Sequence, residues 1–392
     1  MINKNLLNAE IQHYITENLK SDISVIRMKK SPFPGVSSLE IVQQIQGKKI
    51  AQTKFPFLAD NNQIIYPPHL NLEQASSQST ARFKQKIISG RKGLDLTGGT
   101  GIDSFFLSTS SDEFYYVEPD WGLLEIVKHN FSVLGKKNIV FINQTAEEFL
   151  SENTHHFDFI YLDPSRRDKN KNKKVSLEDL LPNVILLQEK LLETAPSLFI
   201  KLSPLLDLQQ AIDQLSVSAI FIVSLKNEVK ELIVQLNKNP KNNDKDPFIT
   251  CVNLETRQPY FSFHRLEEKR AENPEYSLPE LYLYMPNASI LKSGAFKLVG
   301  KKYNLKKLHP NTHIYTSKEI VPDFPGRIFT ILDSHFNPQR SEQKKFTVIS
   351  RNYPLKPEEI RKKYKLTEGG EKYLFFTRAK NDNLCILAEI NE

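Results

Sequence analysis

The chain reads as an α/β protein built on a seven-stranded sheet with one antiparallel strand. A mostly helical N-terminal segment precedes the sheet and a small α+β module follows it. Three observations carry this. In RKGLDLTGGTGIDSFFLSTSSDEFYYVEPDW, residues 91–121, a short apolar run, a glycine-rich turn, a helical apolar face and a second apolar run follow one another. Strand-like and helix-like stretches then alternate to about residue 265. Beyond a charged stretch at 267–280, strand-like runs predominate.

A chain of 392 residues exceeds one ordinary core, so two or three domains are expected. A hydrophobic content of 39% and a charged content of 25% fit a soluble globular protein. No apolar run approaches a membrane span, and the N-terminus lacks a secretory pattern, so the cytoplasm is the expected compartment. Cys251 and Cys385 lie too far apart in sequence to suggest a disulfide framework or a zinc site. No metal and no membrane partner are expected. The net charge of +7 is unevenly spread: residues 1–80 carry +2, residues 81–275 carry −3 and residues 276–392 carry +8. A basic C-terminal third over a slightly acidic core is the footprint of a nucleic-acid-binding appendage, or simply of a solvated surface.

Residues 6–19 space apolar side chains at helical intervals, and a second helix is expected from Val36 to Gln46 after the Pro32, Pro34, Gly35 break. Tyr66-Pro67-Pro68 imposes an extended approach to a helix ending near Ile88, capped by Asn71 or Ser76. Thr80 and Arg82 on that helix could meet a ligand carboxylate, or Arg82 could be an ordinary surface residue.

Gly93–Leu96 forms the first strand, ending on Asp95 and Thr97, and Gly98, Gly99 and Gly101 follow. Phe114–Val117 is the next strand, closed by Glu118. Such a loop lets a ligand approach the main chain closely, and a carboxylate at the neighbouring strand tip can accept both hydroxyls of a ribose. The dinucleotide pattern G-x-G-x-x-G fails, because Ser104 stands at the third glycine. Asp95 before the loop would sit poorly beside a pyrophosphate but suits the α-amino group of S-adenosylmethionine (SAM), directly or through water. The D-x-x-G-G-x-G pattern with Glu118 resembles motifs I and II of class I SAM-dependent methyltransferases.

Trp121–Leu134 is expected as a helix and Asn138–Ile142 as the third strand. Gln144, Thr145 or the backbone of Ala146 then occupies the place where many such enzymes bind adenine. Phe157–Leu162 is the fourth strand, followed by DPSRRD. Asp163-Pro164 resembles motif IV of amino-group methyltransferases, with Ser165-Arg166-Arg167 in place of the aromatic. It also resembles D-P-P-R of uridine C5 methyltransferases, which need a downstream cysteine that Cys251 is poorly placed to supply. Asp163 would position a nucleophile or accept its proton, and Arg166 and Arg167 would grip a phosphate. The bland reading is a turn in which Asp163 caps backbone amides and the arginines pair with acids.

DKNKNKK at 168–174 reads as a polar loop, Leu177–Glu193 as a helix, Ser197–Leu202 as a strand and Leu208–Leu215 as a helix. Ala219–Leu225 and Ile249–Leu254 read as the last strands, with NEVKELIVQL between them as helix or strand and 237–247 as a loop. His155 and His156 read as surface residues. Residues 267–280 read as a linker. The C-terminal module is expected to hold an opening strand, a helix near Ala288–Val299, strands at 326–333, 345–351 and 372–390, and a helix at Pro357–Tyr364. Its densest basic positions are Lys301, Lys302, Lys306, Lys307, Arg361, Lys362 and Lys363.

As a whole the chain resembles a bacterial family of class I methyltransferases with a THUMP-like C-terminal domain. The resemblance rests on SPFPG, YPPHLNLEQASSQSTARFK, DLTGGTGID, YLDPSRRD, SLKNEVKEL, LYMPNASILKSGAF, HPNTHIYTS and RNYPLKPEEIRKKYKL with GGEKYLFFT, and covers nearly the full length. It implies a helical segment over 1–75, a Rossmann-like methyltransferase domain over 76–265, a ferredoxin-like segment over 276–319 and a THUMP-like domain over 320–392. A structured RNA is the implied substrate. Asp95, Thr97, Gly98, Gly99, Gly101, Glu118, Thr145, Ala146 and Asp163 would hold SAM, Asp163 and Arg166 would act in transfer, and Arg166 and Arg167 would bind substrate. A methyltransferase of a small molecule or protein, and a non-catalytic SAM-binding RNA-binding protein, are the alternatives.

Overall fold

The computed structural model describes residues 2–166 (Arg166 by its backbone), 176–238 and 246–391. The chain divides into two compact units, Met1–Ser218 with Ile233–Asp244 and Ala219–Leu232 with Lys245–Glu392.

The first unit opens with helices α1 (Ala9–Glu17), α2 (Ile23–Met28), α3 (Ser38–Lys54) and α4 (Pro56–Ala59). Apolar residues at helical spacing fuse the first three into one cluster around Ile11, Ile15, Ile26, Ile41 and Ile45. Ser37 and Glu40 start α3 with a reciprocal capping box, which satisfies amides that a helix end otherwise leaves bare. The single helix expected before the first strand is two, α5 (His69–Gln74) and α6 (Gln78–Ile87). Ser77, rather than Asn71 or Ser76, caps α6 by accepting from the Thr80 amide. A second cluster, holding Phe55, Leu58, Tyr66, Leu72, Ala81, Ile102 and Phe106, packs this N-terminal layer onto the helix after the glycine loop.

The core strands are β1 (Lys92–Asp95), β2 (Glu113–Val117), β3 (Ile139–Ile142), β4 (Phe159–Leu162) and β5 (Ser197–Leu202); β1, β2, β4 and β5 are mostly buried, and β3, at the end of the order, is half-buried. Helices α7 (Ile102–Leu107), α8 (Trp121–Val133), α9 (Ala146–Glu152), α10 (Val184–Thr194) and α11 (Leu208–Gln214) connect or follow them. Helix α10 starts later than expected, because Leu180–Leu181 instead pairs antiparallel with Ser165–Arg166.

Val217–Leu225 forms β6. The stretch NEVKELIVQL is strand β7 (Glu228–Asn237), and β6 and β7 run through both units. The first unit thus has the order β7-β5-β4-β1-β2-β3. In the second, β8 (Phe248–Leu254) pairs parallel with β6 and β9 (Phe261–His264) antiparallel with β8. The expected count of seven strands is therefore low: nine are present among the described residues from β1 to β9.

The stretch expected as a linker contains helix α12 (Arg265–Arg270). After it the Ser277 amide donates to the Lys307 carbonyl and the Lys307 amide to that of Glu275. One seven-stranded sheet follows, made of β10 (Tyr282–Pro286), β11 (Lys306–Lys307), β12 (Tyr315–Ser317), β13 (Gly326–Asp333), β14 (Lys345–Arg351), β15 (Thr367–Ala379) and β16 (Asp382–Asn391). Its order is β11-β12-β10-β13-β16-β15-β14. The helix expected near 288–299 is two, α13 (Ala288–Ser293) and α14 (Phe296–Lys302), broken at Gly294 where φ is +76°. Helix α15 (Pro357–Tyr364) completes the module, over a core of Phe346, Ile360, Leu374 and Phe376. Among the described residues no helix is long and apolar enough to cross a membrane.

Candidate active site

Parallel register assembles the site. Asp95, the last residue of β1, lies opposite Tyr116 on β2 and Tyr161 on β4. Residues just past these strands therefore emerge side by side: Thr97 and the glycine loop from β1, Glu118 from β2 and Asp163 from β4.

Asp95 is turned inward and 1% exposed. Its carboxylate receives the Thr97 amide at 2.9 Å and the Ser104 hydroxyl from α7. Burial pushes its pKa up to about 7 against the lowering effect of those hydrogen bonds, and the nearby charges of Asp103 and Asp163 add to the rise. Asp95 thus braces the loop. Each of its oxygens keeps a lone pair beyond these bonds, but its burial leaves little surface for a direct contact with an ammonium group.

The glycines are needed for space. A Cβ on Gly98 would lie 2.3 Å from the Tyr116 ring. Gly101, at φ +74°, would place one 2.6 Å from Val127 and 3.0 Å from Phe131. Gly99 lies on the open side, where an added Cβ would meet only the Thr97 carbonyl, at 3.7 Å. Its amide donates to Glu118 Oε2 at 2.8 Å, and its carbonyl accepts from the Tyr116 hydroxyl at 2.6 Å. Glu118 Oε1 accepts from the Asp120 amide at 2.9 Å. Burial raises the Glu118 pKa, and the two amide bonds oppose the rise. Each of its oxygens keeps a lone pair beyond these bonds, so the carboxylate can still accept hydroxyl groups.

Thr145 caps α9: its hydroxyl accepts from the Glu148 amide at 3.2 Å and donates to the Glu148 carboxylate at 3.0 Å. Ala146, the first residue of α9, is buried. Thr80 is buried, with its hydroxyl on the Ser77 carbonyl, and Arg82 is exposed and lies over the Phe106 ring at 5.8 Å. Both have local structural partners. His155 and His156 are exposed, and no metal-binding group is present among the described residues.

The Asp163 amide donates to the Thr97 hydroxyl at 2.6 Å, tying the tips of β4 and β1. Its side chain is 37% exposed and forms an ion pair with Lys201 of β5. Leu162 pairs with Ile200 in the parallel register, so the next residues on the two strands, Asp163 and Lys201, stand side by side. Arg166 is described only by its backbone, in the short ladder with Leu180. Arg167 and the 168–174 stretch, expected as a loop, lie outside the described residues.

Sequence reasoning missed the group behind this pair. Lys84 on α6, fully buried, lies 3.1 Å from Asp103 on α7. Asp103 also accepts from the Ser76 hydroxyl at 2.7 Å and the Tyr161 hydroxyl at 2.8 Å. Burial opposes ionisation of Asp103, but Lys84 and Lys201, with those hydroxyls, hold its pKa below the usual value. The available signal was Lys201, a lone charge inside the otherwise apolar run SLFIKL; Lys84 lies in the polar stretch QSTARFKQKI and gave none.

Three family models match in succession: "Conserved hypothetical protein 95" over residues 79–197, a ferredoxin-like domain over 282–325 and a THUMP domain-like module over 326–389. An uncharacterised RNA methyltransferase of Mycoplasma mobile is 27% identical over 167 residues. That match covers 41% of this chain and 45% of the relative, so the chain spans about half the length of the curated protein it matches. A solved structure from Porphyromonas gingivalis W83, named as a candidate methyltransferase, is 30% identical, covers 100% of both chains and superposes with a TM-score of 0.89. The chain therefore belongs to the family that this structure represents, the class I SAM-dependent methyltransferases with ferredoxin-like and THUMP-like C-terminal domains.

Proposed function

We propose that the protein transfers a methyl group from SAM to a base of a structured RNA, tRNA or rRNA. The observation that carries the reading is the joint at the strand tips, where Thr97 of the glycine loop accepts from the amide of Asp163. It sets a half-exposed carboxylate beside a backbone cradle that is open at Gly99 and faces Glu118. Asp95, Thr97, Gly98, Gly99, Gly101 and Glu118 would hold the cofactor, with adenine near Thr145 and Ala146. SAM supplies an activated methyl group on a sulfonium, so catalysis is chiefly alignment. When bound, SAM would supply the methyl carbon to the acceptor lone pair and keep the electron pair of the broken sulfur–methyl bond, and the proton lost by the acceptor would pass to water. Asp163 accepts a hydrogen bond from the acceptor and aims its lone pair.

Support for RNA comes from the THUMP domain-like match, the +8 balance of residues 276–392 and the name of the Mycoplasma relative as an RNA methyltransferase. The cysteines argue against the uridine C5 route, which needs a thiolate: burial pushes both Cys251 and Cys385 up to about 12.

The test is transfer of labelled methyl from SAM to total RNA of cells lacking the gene, with protein and small-molecule fractions assayed in parallel. Wild-type protein is expected to label an RNA band. Asp163→Ala should lower that labelling by about 10²–10⁴-fold, with SAM affinity nearly unchanged. Label confined to protein or small molecules would overturn the RNA reading, and full turnover by the variant would remove Asp163 from the mechanism.

A further inference from the structure

We propose that Lys201 is a positioning residue for methyl transfer, holding the Asp163 carboxylate so that its remaining acceptor capacity faces the incoming substrate. This rests on the role given to Asp163 above.

The two side chains differ in access. That of Asp163 is 37% exposed, whereas that of Lys201 is 12% exposed. The ammonium group therefore stands behind the carboxylate and the open face belongs to Asp163. A strand-end aspartate alone would rotate about its side-chain bonds, because its amide bond to Thr97 fixes only the backbone. The ion pair with Lys201 removes that freedom. A carboxylate oxygen has two lone pairs, so occupation of Oδ2 by Lys201 leaves acceptor capacity on both oxygens.

Lys201 is itself braced. The field of Asp103 reaches it, and Asp103 is held by Lys84, Ser76 and Tyr161. Lys84 also donates to the Ser76 hydroxyl at 2.9 Å. Two carboxylates and two ammonium groups thus alternate from α6 to the tip of β4, each charge close to one of opposite sign. In a poorly solvated place such an alternation is costly to break at one member, since it strands the neighbouring charge. The N-terminal residues Ser76 and Lys84 therefore support the geometry at Asp163 without touching the substrate.

The experiment compares wild type, Lys201→Met and Lys201→Arg in labelled-methyl transfer to total RNA from cells lacking the gene. Circular dichroism confirms the fold, and calorimetry gives the SAM dissociation constant. Lys201→Met, which keeps the length of the side chain, is expected to lower kcat at least tenfold while leaving KM for SAM and its dissociation constant within about twofold. Lys201→Arg, which keeps the charge, should recover a substantial part of the loss. Wild-type kcat in a folded Lys201→Met variant would overturn the proposal, as would a loss that appears wholly in SAM affinity. If wild-type label enters protein or small molecules instead of RNA, the RNA reading fails and the same comparison is made on the labelled fraction. The two failures are therefore distinguishable.

Discussion

Asp95 bears the desolvation at the floor of the site. Its pKa of about 7 lies well above the ordinary aspartate value. The folded state therefore binds a proton that the unfolded state releases over the window from about pH 4 to pH 7. The stability this contributes is fully present below the lower limit and is lost as pH rises through 7. Asp95→Asn keeps the shape and removes the charge. Its melting midpoint should exceed that of wild type by roughly 2–4 °C at pH 8, and the difference should shrink at pH 5, where Asp95 is protonated. Melts at the two pH values check the sign; an equal difference at both would show that ionisation of Asp95 does not contribute. Asp95, the loop glycines, Glu118 and Asp163 were all visible as residues of a pattern. Lys201 was not, because it lies 38 positions from Asp163 in sequence and is placed by the pairing of Leu162 with Ile200. No local spacing encodes that register.

Helix α8 packs against the loop through Val127 and Phe131, so the loop's shape depends on how closely it can approach that helix. Gly101→Ala would introduce a methyl group at 2.6 Å from Val127 in a left-handed backbone. The expected cost is about 2–4 kcal/mol, from backbone strain and overpacking together. Urea unfolding with an unchanged slope and a lowered midpoint would report it. A midpoint equal to wild type would mean that the loop and α8 yield freely. Element type was legible wherever a run had one plausible period. Strand β7 was left open because the short apolar run Leu232–Val234 fits a helix or a strand equally well. The breaks at Ser77 and Gly294 turned single expected helices into pairs, since a cap is a local event inside a longer periodic stretch.

The seven basic positions singled out in the C-terminal third are not equivalent across the molecule. Lys307 is buried, its ammonium donates to the Pro310 carbonyl at 2.6 Å, and burial lowers its pKa to about 8. Lys306 pairs with Glu275 and Glu280, and Arg361 with Glu358 and Glu368. Lys301, Lys302, Lys362 and Lys363 remain exposed, Lys302 over Phe261 and Lys363 over Tyr364. Replacing these four by Gln should flatten the log–log salt dependence of RNA binding by about 3 units and leave SAM affinity unchanged. Lys306 is already paired with two acids, so Lys306→Gln should leave both the slope and SAM affinity unchanged. Titrations at several salt concentrations decide it, and an unchanged slope in the fourfold variant would move the RNA contact elsewhere. Truncation near residue 275 would be a poorer experiment. Asn227 accepts from the Ala288 amide and Gln258 donates to the Gly326 carbonyl, so that cut would strip partners from strands upstream of it. Charged composition made 267–280 look like a linker, while the pairing that orders it, with Lys307, is distant in sequence. In the proposed mechanism Thr97 belongs at once to the cofactor loop and, through Asp163, to the acceptor side. If occupancy of one side tightens that residue, thermodynamic reciprocity requires the other side to feel the same coupling energy. RNA would then strengthen the hold on SAM by the factor by which SAM strengthens the hold on RNA. Conversion of the cofactor to its demethylated form would alter both affinities together, linking release of the two products.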